Sequence, residues 1–427
     1  MVASGVRLLA RGLFAVLAAA TLSFPARAGH EAVLLIDANS GKVLQADNAT
    51  LPWHPASTSK LMTTYVTLQA IKEGRIGLDT LVTVSPRAVS QSPSKMGFPA
   101  GIQLTVDNAL KMMLVHSAND IAVVLAEGID GSVEKFAEEM NLTSQRLGMV
   151  QSNWVNPNGL PDDAQISSAR DLGILARALI RDFPEFDSYW HIPSIKFGRR
   201  VMRNYNKLLA EYPGADGMKT GFICASGFNL VASATRGNRR LIAVVLGAPS
   251  GAVRTAKAAS LLERGFNSST LAWLLPSLGT VDALQPIKAD PPDLRDQTCG
   301  PHRKRPAAED EDDDAGTTAE NDQQRVMTLA TTKDGSGASL LTGNPLAAVP
   351  PIVVYVGPKR AVAVATAADD AAIPAAKPRR KPKAAATDKP AAAKDTAAAA
   401  TEAKPAAKTP KTAQAKAAKP KSAPHTQ

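Results

Sequence analysis

Cysteine and histidine, the side chains that most often bind zinc, are scarce in this chain of 427 residues. The two cysteines are Cys224 and Cys299, and the six histidines have no spacing typical of a zinc site. The sequence therefore predicts no metal site. The cysteines would form a disulfide if the protein reaches an oxidising compartment. The alternative is a buried free thiol at Cys224 and an exposed one at Cys299, and the sequence leaves both open.

Long hydrophobic runs are missing beyond the N-terminus, so no later segment is predicted to span a membrane. At the N-terminus, two arginines precede a short apolar run over residues 13–22 and an Ala-x-Ala sequence at 26–28. This order is typical of an export signal. We expect residues 1–28 to be a signal peptide cleaved after Ala28. The alternative is an uncleaved membrane anchor, for which the apolar run is short.

Aromatic residues are absent from residues 366–427, which are mainly Ala, Lys, Pro and Thr. Such a segment cannot bury enough apolar surface to fold alone, so we predict a disordered tail. Residues 377–427 contain 13 Lys and Arg but only 3 Asp and Glu, a surplus equal to the net charge of +10 of the whole chain. The tail is predicted either to stay solvated or to adhere to anionic components of the cell envelope. Nucleic acid is not an expected partner of an exported protein.

The remaining sequence divides into a domain over residues 29–267 and a linker over 268–365. In the domain, strand-like runs near both ends flank a stretch with helical periods. The predicted strands are 32–37, 42–45, 227–234 and 241–247, and the predicted helices are 106–115, 121–129, 133–147, 169–180 and 252–264. This order predicts an α+β fold. The linker has an acidic run at 309–314 and an apolar patch at 351–358, which either pairs with a sheet edge or stays unpaired.

Three short motifs carry candidate catalytic groups: Ser57-Thr58-Ser59-Lys60, Ser117-Ala118-Asn119 and Lys219-Thr220-Gly221. Ser-x-x-Lys alone is a weak signal, because Ser92 and Ser132 begin the same pattern. Ser57 differs because it follows Pro55 and opens an apolar helical run. It should therefore lie at a helix N-terminus, where unpaired N–H groups favour developing negative charge. Lys60, one turn later, should approach the Ser57 hydroxyl.

Together and in this order, the motifs resemble those of the penicillin-recognising serine enzymes. The chain looks most like the D-alanyl-D-alanine carboxypeptidases of the low-molecular-mass penicillin-binding type, over about residues 30–267. Further matching segments are Asn119-Asp120, Asn158-Gly159-Leu160, Gln165-Ile166-Ser167-Ser168-Ala169-Arg170-Asp171, Asn206-x-Leu208-Leu209, Asp216-Gly217-Met218 and Phe228-Asn229-Leu230-Val231-Ala232-Ser233-Ala234. The resemblance implies a DD-peptidase/β-lactamase-like fold. In that fold an antiparallel sheet flanked by helices adjoins an all-helical subdomain, and the active site lies at their junction.

For the reacting side of the site, the resemblance implies that Ser57 is the acyl-ester nucleophile and Lys60 its general base. Lys60 must then be neutral part of the time, and burial near the charge of Lys219 would lower its pKa. Ser117 would relay the proton to the leaving group, and Asn119 would orient Lys60 and the substrate.

For the binding side, the resemblance implies that Lys219 and Thr220 hold the substrate carboxylate. Gly221 would let the substrate backbone approach the strand closely. The backbone N–H groups of Ser57 and Phe222 would form the oxyanion hole. No cofactor is expected.

The implied activity is removal of the terminal D-alanine from peptidoglycan stem pentapeptides in the periplasm, with β-lactam antibiotics as covalent inhibitors. A serine β-lactamase should add a glutamate before the third motif, yet residues 153–168 contain Asp162 and Asp163 but no glutamate. A DD-endopeptidase would use the same groups, and a wall-binding scaffold would need none of them. Many carboxypeptidases of this type carry an all-β second domain and an amphipathic anchor helix, and we recognise neither in this sequence.

Overall fold

The structure is a computed structural model, and it describes residues 31–267, 278–301, 340–341 and 348–358. The predicted signal peptide (1–28), the acidic run (309–314) and the basic tail (366–427) lie outside the described residues. No helix of the described ranges is both long and apolar enough to cross a bilayer.

A five-stranded antiparallel sheet combines strands from both ends of the domain. Its strands are β1 (Ala32–Asp37), β2 (Val43–Asp47), β7 (Ala215–Ile223), β8 (Gly227–Arg236) and β9 (Arg239–Ala248), in the order β2-β1-β9-β8-β7. The first and last strands of the domain pair from Ala32↔Leu246 to Asp37↔Leu241. The predicted antiparallel sheet is confirmed, and β7 is one of its two edge strands.

Both faces of this sheet are covered, which explains why its strands are almost continuously apolar. On one face Leu34 and Ile242 belong to the larger core, which is shared with the helical subdomain and with α6 (Ala169–Asp182). On the other face Leu35 and Ala243 pack in a second core with α8 (Gly251–Asn267).

The helical subdomain is inserted between β2 and α6. Its helices are α1 (Lys60–Lys72), α2 (Pro86–Val89), α3 (Val106–Val115), α4 (Asn119–Asp130) and α5 (Val133–Leu147). Local sequence fixes their ends: the Ser132 hydroxyl accepts from the Lys135 N–H to cap α5, and Gly148 ends it at φ +76°. The predicted helices are present.

Two small sheets were not predicted as such, although the pairing of the 351–358 patch with a sheet edge, one of the two alternatives for that patch, is observed. One pairs β3 (Leu81–Thr83) with β4 (Gln103–Thr105), and the other has the order β10-β5-β6, formed by Ile352–Val353, Ser194–Phe197 and Arg200–Arg203. Strands of two to four residues are too short to display a period of two.

Part of the predicted linker belongs to the folded unit. Val281 and Leu294 are buried in the larger core, and β10 pairs in parallel with β5. Cys299 ends the short helix α9 (Arg295–Cys299) and forms a disulfide with Cys224, with the two Cα atoms 5.6 Å apart. The other described elements are α7 (Leu208–Glu211) and the 3₁₀ helices Ala56–Ser59, Pro184–His191 and Val281–Ala283.

Candidate active site

The first motif forms a tight turn at the start of α1. Residues Ala56–Ser59 form a 3₁₀ helix that continues into α1, so Ser57 lies in the first helical turn. Ser57 is half-buried, whereas Lys60 is fully buried. Side chains hold the turn from within: the Thr58 hydroxyl donates to the Pro55 carbonyl at 2.7 Å, and the Ser59 hydroxyl donates to the Ala56 carbonyl at 2.7 Å.

The Lys60 amine contacts three oxygen atoms. Its Nζ donates to Ser57 Oγ at 2.8 Å, to Asn119 Oδ1 at 2.7 Å and to the Asn158 carbonyl at 2.6 Å. Two of these oxygens can only accept, while the Ser57 hydroxyl can also donate. A neutral amine would therefore keep its two N–H groups on Asn119 and Asn158, and its lone pair would face Ser57. The geometry suits proton transfer from Ser57 to Lys60.

The second motif lies at the junction of α3 and α4. Ser117 has φ +56°, a left-handed conformation that is uncommon for serine and that often occurs at functional sites. Asn119, the first residue of α4, is fixed by its N–H to the Ser94 carbonyl at 2.8 Å and by its side-chain amide to the Ser92 carbonyl at 3.0 Å. The buried Ser117 hydroxyl has no hydrogen-bond partner among the described residues.

The third motif lies on the edge strand β7. Lys219 is buried and its Nζ donates to the Thr220 carbonyl at 3.0 Å. The buried Thr220 hydroxyl, like that of Ser117, lacks a partner within the described ranges. Phe222, near the end of the strand, is half-buried with its ring 4.3 Å from that of Phe228.

Gly221 has a different close contact from the one the sequence suggested. A Cβ at this position would lie 2.8 Å from the Ser57 nitrogen and 3.0 Å from the Pro55 oxygen. The missing side chain thus allows the turn that carries Ser57 to approach β7, and this contact brings the first and third motifs together.

A second glycine supports the same turn from another segment. Gly159 has φ +80°, and a Cβ there would lie 1.9 Å from the Ala56 oxygen and 2.9 Å from the Ser57 nitrogen. Asn158-Gly159-Leu160 is one of the segments that resemble the family, but no role is predicted for it from the sequence. The structure gives it two: the Asn158 carbonyl binds Lys60, and Gly159 contacts the Ser57 turn.

Gln165 fixes the loop that carries Asn158 and Gly159. The buried Gln165 side chain accepts from the Val155 N–H at 2.7 Å and donates to Ser59 Oγ at 3.1 Å. This residue was also missed as a site residue. A single buried amide bonded to both a loop and a helix start has no short-range sequence signature.

Asn229 on β8 holds the segment before Ser57. Its side-chain amide donates to the carbonyls of His54 and Pro55 at 3.0 and 3.2 Å, and its oxygen accepts from the Gly247 N–H at 3.0 Å. The position of the nucleophile therefore depends on the sheet as well as on the helices.

Two carboxylates, Asp171 and Asp187, contact segments that adjoin the site, and their pKa values shift in opposite directions. Burial raises the pKa of Asp171, although hydrogen bonds from Gln151 and Ser152 at the base of the 153–168 loop oppose this effect. Burial would also raise the pKa of Asp187, but contacts from His191 and Arg240 outweigh it and hold that pKa well below its usual range.

Arg240 links Asp187 to the third motif. Its guanidinium contacts Asp187 at 2.7 Å and Asp216 at 3.2 Å, and Asp216 lies three residues before Lys219. His116, beside the second motif, packs against the Tyr205 ring at a centroid distance of 5.9 Å. The described residues contain no cluster of His, Cys, Asp or Glu that could hold a metal ion.

The arrangement provides a serine hydroxyl, an amine aimed at it, a buried cation and two buried hydroxyls with unused hydrogen-bonding capacity. Such hydroxyls are rare in native structures because an unpaired buried polar group costs about 1–3 kcal/mol. These groups suit acyl transfer from a substrate with an anionic end.

The family model, the curated relatives and the solved structures that this chain resembles all point to one family. Residues 19–250 match the profile of the family described as D-alanyl-D-alanine carboxypeptidase. The chain is 40% identical over 238 residues to D-alanyl-D-alanine carboxypeptidase DacA of Haemophilus influenzae, covering 55% of this chain and 61% of that relative. It is 37% identical over 280 residues to D-alanyl-D-alanine carboxypeptidase DacD of Salmonella typhimurium, covering 63% of this chain and 72% of the relative.

Among solved structures, penicillin binding protein 5 from Haemophilus influenzae superposes with a TM-score of 0.53 at 39% sequence identity, covering 55% of this chain and 70% of that one. The chain spans 60% to 63% of the length of several of the curated relatives that it matches.

Proposed function

The chain belongs to the D-alanyl-D-alanine carboxypeptidase family, and from this premise we propose that it is a serine-type, penicillin-sensitive carboxypeptidase that removes the terminal D-alanine from peptidoglycan stem pentapeptides. The observation that carries the proposal is the Lys60 amine, whose Nζ lies 2.8 Å from Ser57 Oγ and also contacts two oxygens that can only accept, Asn119 Oδ1 and the Asn158 carbonyl.

In the acylation step, Lys60 takes the Ser57 proton as Oγ attacks the carbonyl between the two terminal D-alanines. The resulting oxyanion lies against the N–H groups of Ser57 and Phe222. When the C–N bond breaks, the proton passes to the leaving D-alanine amine through Ser117, and the remaining peptide is an ester on Ser57. Water then hydrolyses this ester, with Lys60 again acting as the base.

The free carboxylate of the substrate lies between the Lys219 ammonium and the Thr220 hydroxyl. A charge-assisted hydrogen bond there satisfies the buried Thr220 hydroxyl, which has no partner among the residues that the structure describes. β7 is the last strand of the sheet, so its outer backbone groups have no neighbouring strand among the described residues and could pair with an extended peptide, a common mode of peptide recognition. The peptide backbone then lies beside Lys219 and Thr220, with Asn119 orienting its amide.

The test is release of D-alanine from a pentapeptide ending in D-Ala-D-Ala, measured for the wild type and for Ser57→Ala. We expect a loss on the order of 10⁴-fold or more, as for other covalent nucleophiles. Ser132→Ala is a matched control, because Ser132 begins another Ser-x-x-Lys sequence but caps α5. Equal activity of Ser57→Ala and wild type would contradict the proposal.

Labelled penicillin separates a carboxypeptidase from a β-lactamase. A long-lived adduct on Ser57, located by mass spectrometry, is expected of the carboxypeptidase. Rapid turnover of the antibiotic would favour a β-lactamase instead. Residues 153–168 contain no glutamate to activate a deacylating water, which supports the first outcome.

The proposed place of action is the periplasm, reached through the signal peptide predicted over residues 1–28. This place suits the disulfide between Cys224 and Cys299, because such bonds persist in oxidising compartments. The basic tail would adhere to anionic components of the envelope. Its deletion should then lower retention in the envelope at low salt, and unchanged retention would reject this part of the proposal.

A further inference from the structure

The hairpin formed by β5 and β6 has an unusual local charge. The stretch from Ser194 to Lys207 contains five cationic residues and no aspartate or glutamate. Outside residues 377–427 the sequence has equal numbers of acidic and basic residues, so this surplus is local rather than a property of the domain. We call residues 194–203 the cationic hairpin.

One face of the hairpin mixes cations with exposed aliphatic side chains. Lys196 lies opposite Val201 on β6 and opposite Val353 on β10, so the three share a face. Val201 is 51% exposed and Val353 61% exposed. Arg203, two residues from Val201, is exposed on the same face.

The opposite face holds the hairpin on the domain. Ile195 and Met202 are buried in the larger core, and the Phe197 ring meets that of Phe98 at 5.1 Å. The outer cations are therefore presented by a fixed strand pair rather than by a loose loop.

Two cations of the outer face, Lys196 and Arg203, have no acidic partner in the part of the chain that the structure describes, and neither has Arg200, which is exposed opposite Phe197 at the start of β6. Lys196, Arg200 and Arg203 form no ion pair there, in contrast to Arg240, which contacts two carboxylates. Like charges on one short hairpin repel one another when no counter-charge offsets them, and the described residues supply none to these three. An anionic partner would relieve that repulsion.

We propose that the cationic hairpin and Val353 form a docking surface for an anionic lipid membrane. Charge alone would suit any polyanion, but a lipid surface also accepts aliphatic side chains between its headgroups. Val201 and Val353 project on the face that carries Lys196 and Arg203, and this combination favours lipid over a phosphate polymer. The proposal is independent of the catalytic groups, since no residue of the surface belongs to the three motifs.

The strand β10 connects this surface to the basic tail. Pro358 is the last described residue after β10, and the Lys- and Arg-rich residues 377–427 follow fewer than 20 residues later. Because both segments are cationic, the experiment must separate the contribution of the hairpin from that of the tail.

The test uses the full-length chain with every Lys and Arg of residues 377–427 changed to Gln. Its binding to phosphatidylcholine vesicles with and without phosphatidylglycerol is measured by sedimentation. We expect binding only with phosphatidylglycerol. Lys196→Ala combined with Arg200→Ala and Arg203→Ala should weaken it on the order of 100-fold, since each cation near an anionic surface contributes about five-fold.

The matched control changes Lys42, Lys135 and Lys288 to Ala. These lysines are also exposed and without an ion pair among the described residues, and their removal alters the net charge equally. The control should bind as its parent does, and D-alanine release should stay unchanged in both triple variants. Equal weakening by the two triple variants would overturn the proposal.

Val201→Ser distinguishes lipid from polymer. It should weaken binding to phosphatidylglycerol vesicles at high salt, where the aliphatic contribution dominates, because salt screens the charges. If the hairpin variant loses affinity for soluble polyphosphate but not for vesicles, the partner is a polyanion and the lipid assignment is wrong.

Discussion

Two regions that meet at Ser57 use their buried hydroxyl groups in opposite ways. In α1, Thr63 donates to the Pro157 carbonyl at 2.5 Å, and Thr64 and Thr67 donate to carbonyls one turn earlier at 2.7 and 2.8 Å. In the second and third motifs, Ser117 and Thr220 are equally buried but lack any partner among the described residues. The first region uses its hydroxyls for stability, whereas the second keeps them available for a ligand.

Within this comparison, the largest expected effect tests whether the turn at the start of α1 must keep its position. Gly159→Ala places a Cβ on the Ala56 carbonyl at a left-handed residue, so the Ser57 turn must move. A displacement of about 1 Å can cost about 100-fold in rate, and we expect at least that loss in kcat/KM for D-alanine release.

Gly77→Ala is the control for this substitution. Its Cβ would meet only the Thr80 hydroxyl at 3.8 Å, so activity should be unchanged. Wild-type kinetics for Gly159→Ala would show that the turn tolerates displacement and that the start of α1 need not be fixed for activity.

Effects of intermediate size are expected from replacing one hydroxyl of each kind, Thr220 without a described partner and Thr63 with one. Thr220→Val should lower kcat/KM by about 10- to 100-fold, because a hydrogen bond to a charged group contributes about 1.5–3 kcal/mol. It should not lower the free energy of unfolding, since no partner in the described protein is lost.

Thr63→Val should show the reverse pattern. It leaves the Pro157 carbonyl unpaired, so the free energy of unfolding should fall by about 1 kcal/mol with little change in kcat/KM. Urea unfolding and steady-state kinetics on both variants check this pair. Similar effects of the two variants on stability would remove the distinction.

The smallest expected effect concerns Asp187, which is linked through Arg240 to Asp216 near the third motif. Contacts from His191 and Arg240 keep the pKa of Asp187 below its ordinary value, so its carboxylate stabilises the fold above the usual Asp range and this contribution is lost as the pH falls. Asp187→Asn should therefore lower the free energy of unfolding by about 1 kcal/mol at neutral pH. The difference from wild type should shrink below about pH 4.

The control is Asp163→Asn, because the Asp163 side chain is 99% exposed. Thermal unfolding at neutral and acid pH should distinguish the two. A loss for Asp187→Asn that persists unchanged into acid would assign the effect to packing rather than to charge.

Much of the fold could be predicted because its signals are local. The helices have caps and apolar periods, as for α5 between Ser132 and Gly148, and the sheet strands are apolar runs bounded by turns. The Ser57–Lys60 contact follows from one helical turn.

What could not be predicted depends on contacts distant in sequence. The Asn158 carbonyl binds Lys60 through the backbone, which every residue possesses, so no side chain marks it. The pairing of β10 with β5 joins segments more than 150 residues apart, and the sequence of neither strand identifies the other as its partner. Gly221 was predicted to allow close approach of the substrate backbone. In the structure the segment that approaches it is the protein's own turn at Ser57.

The disulfide bond shows that the folded domain extends well past the last residue of the family match. The profile stops at residue 250 and α8 at Asn267, yet Cys224 is bonded to Cys299 and Leu294 fills the core. An expression fragment ending at residue 267 would carry an odd thiol two residues from Phe222 and would be prone to cross-linked dimers.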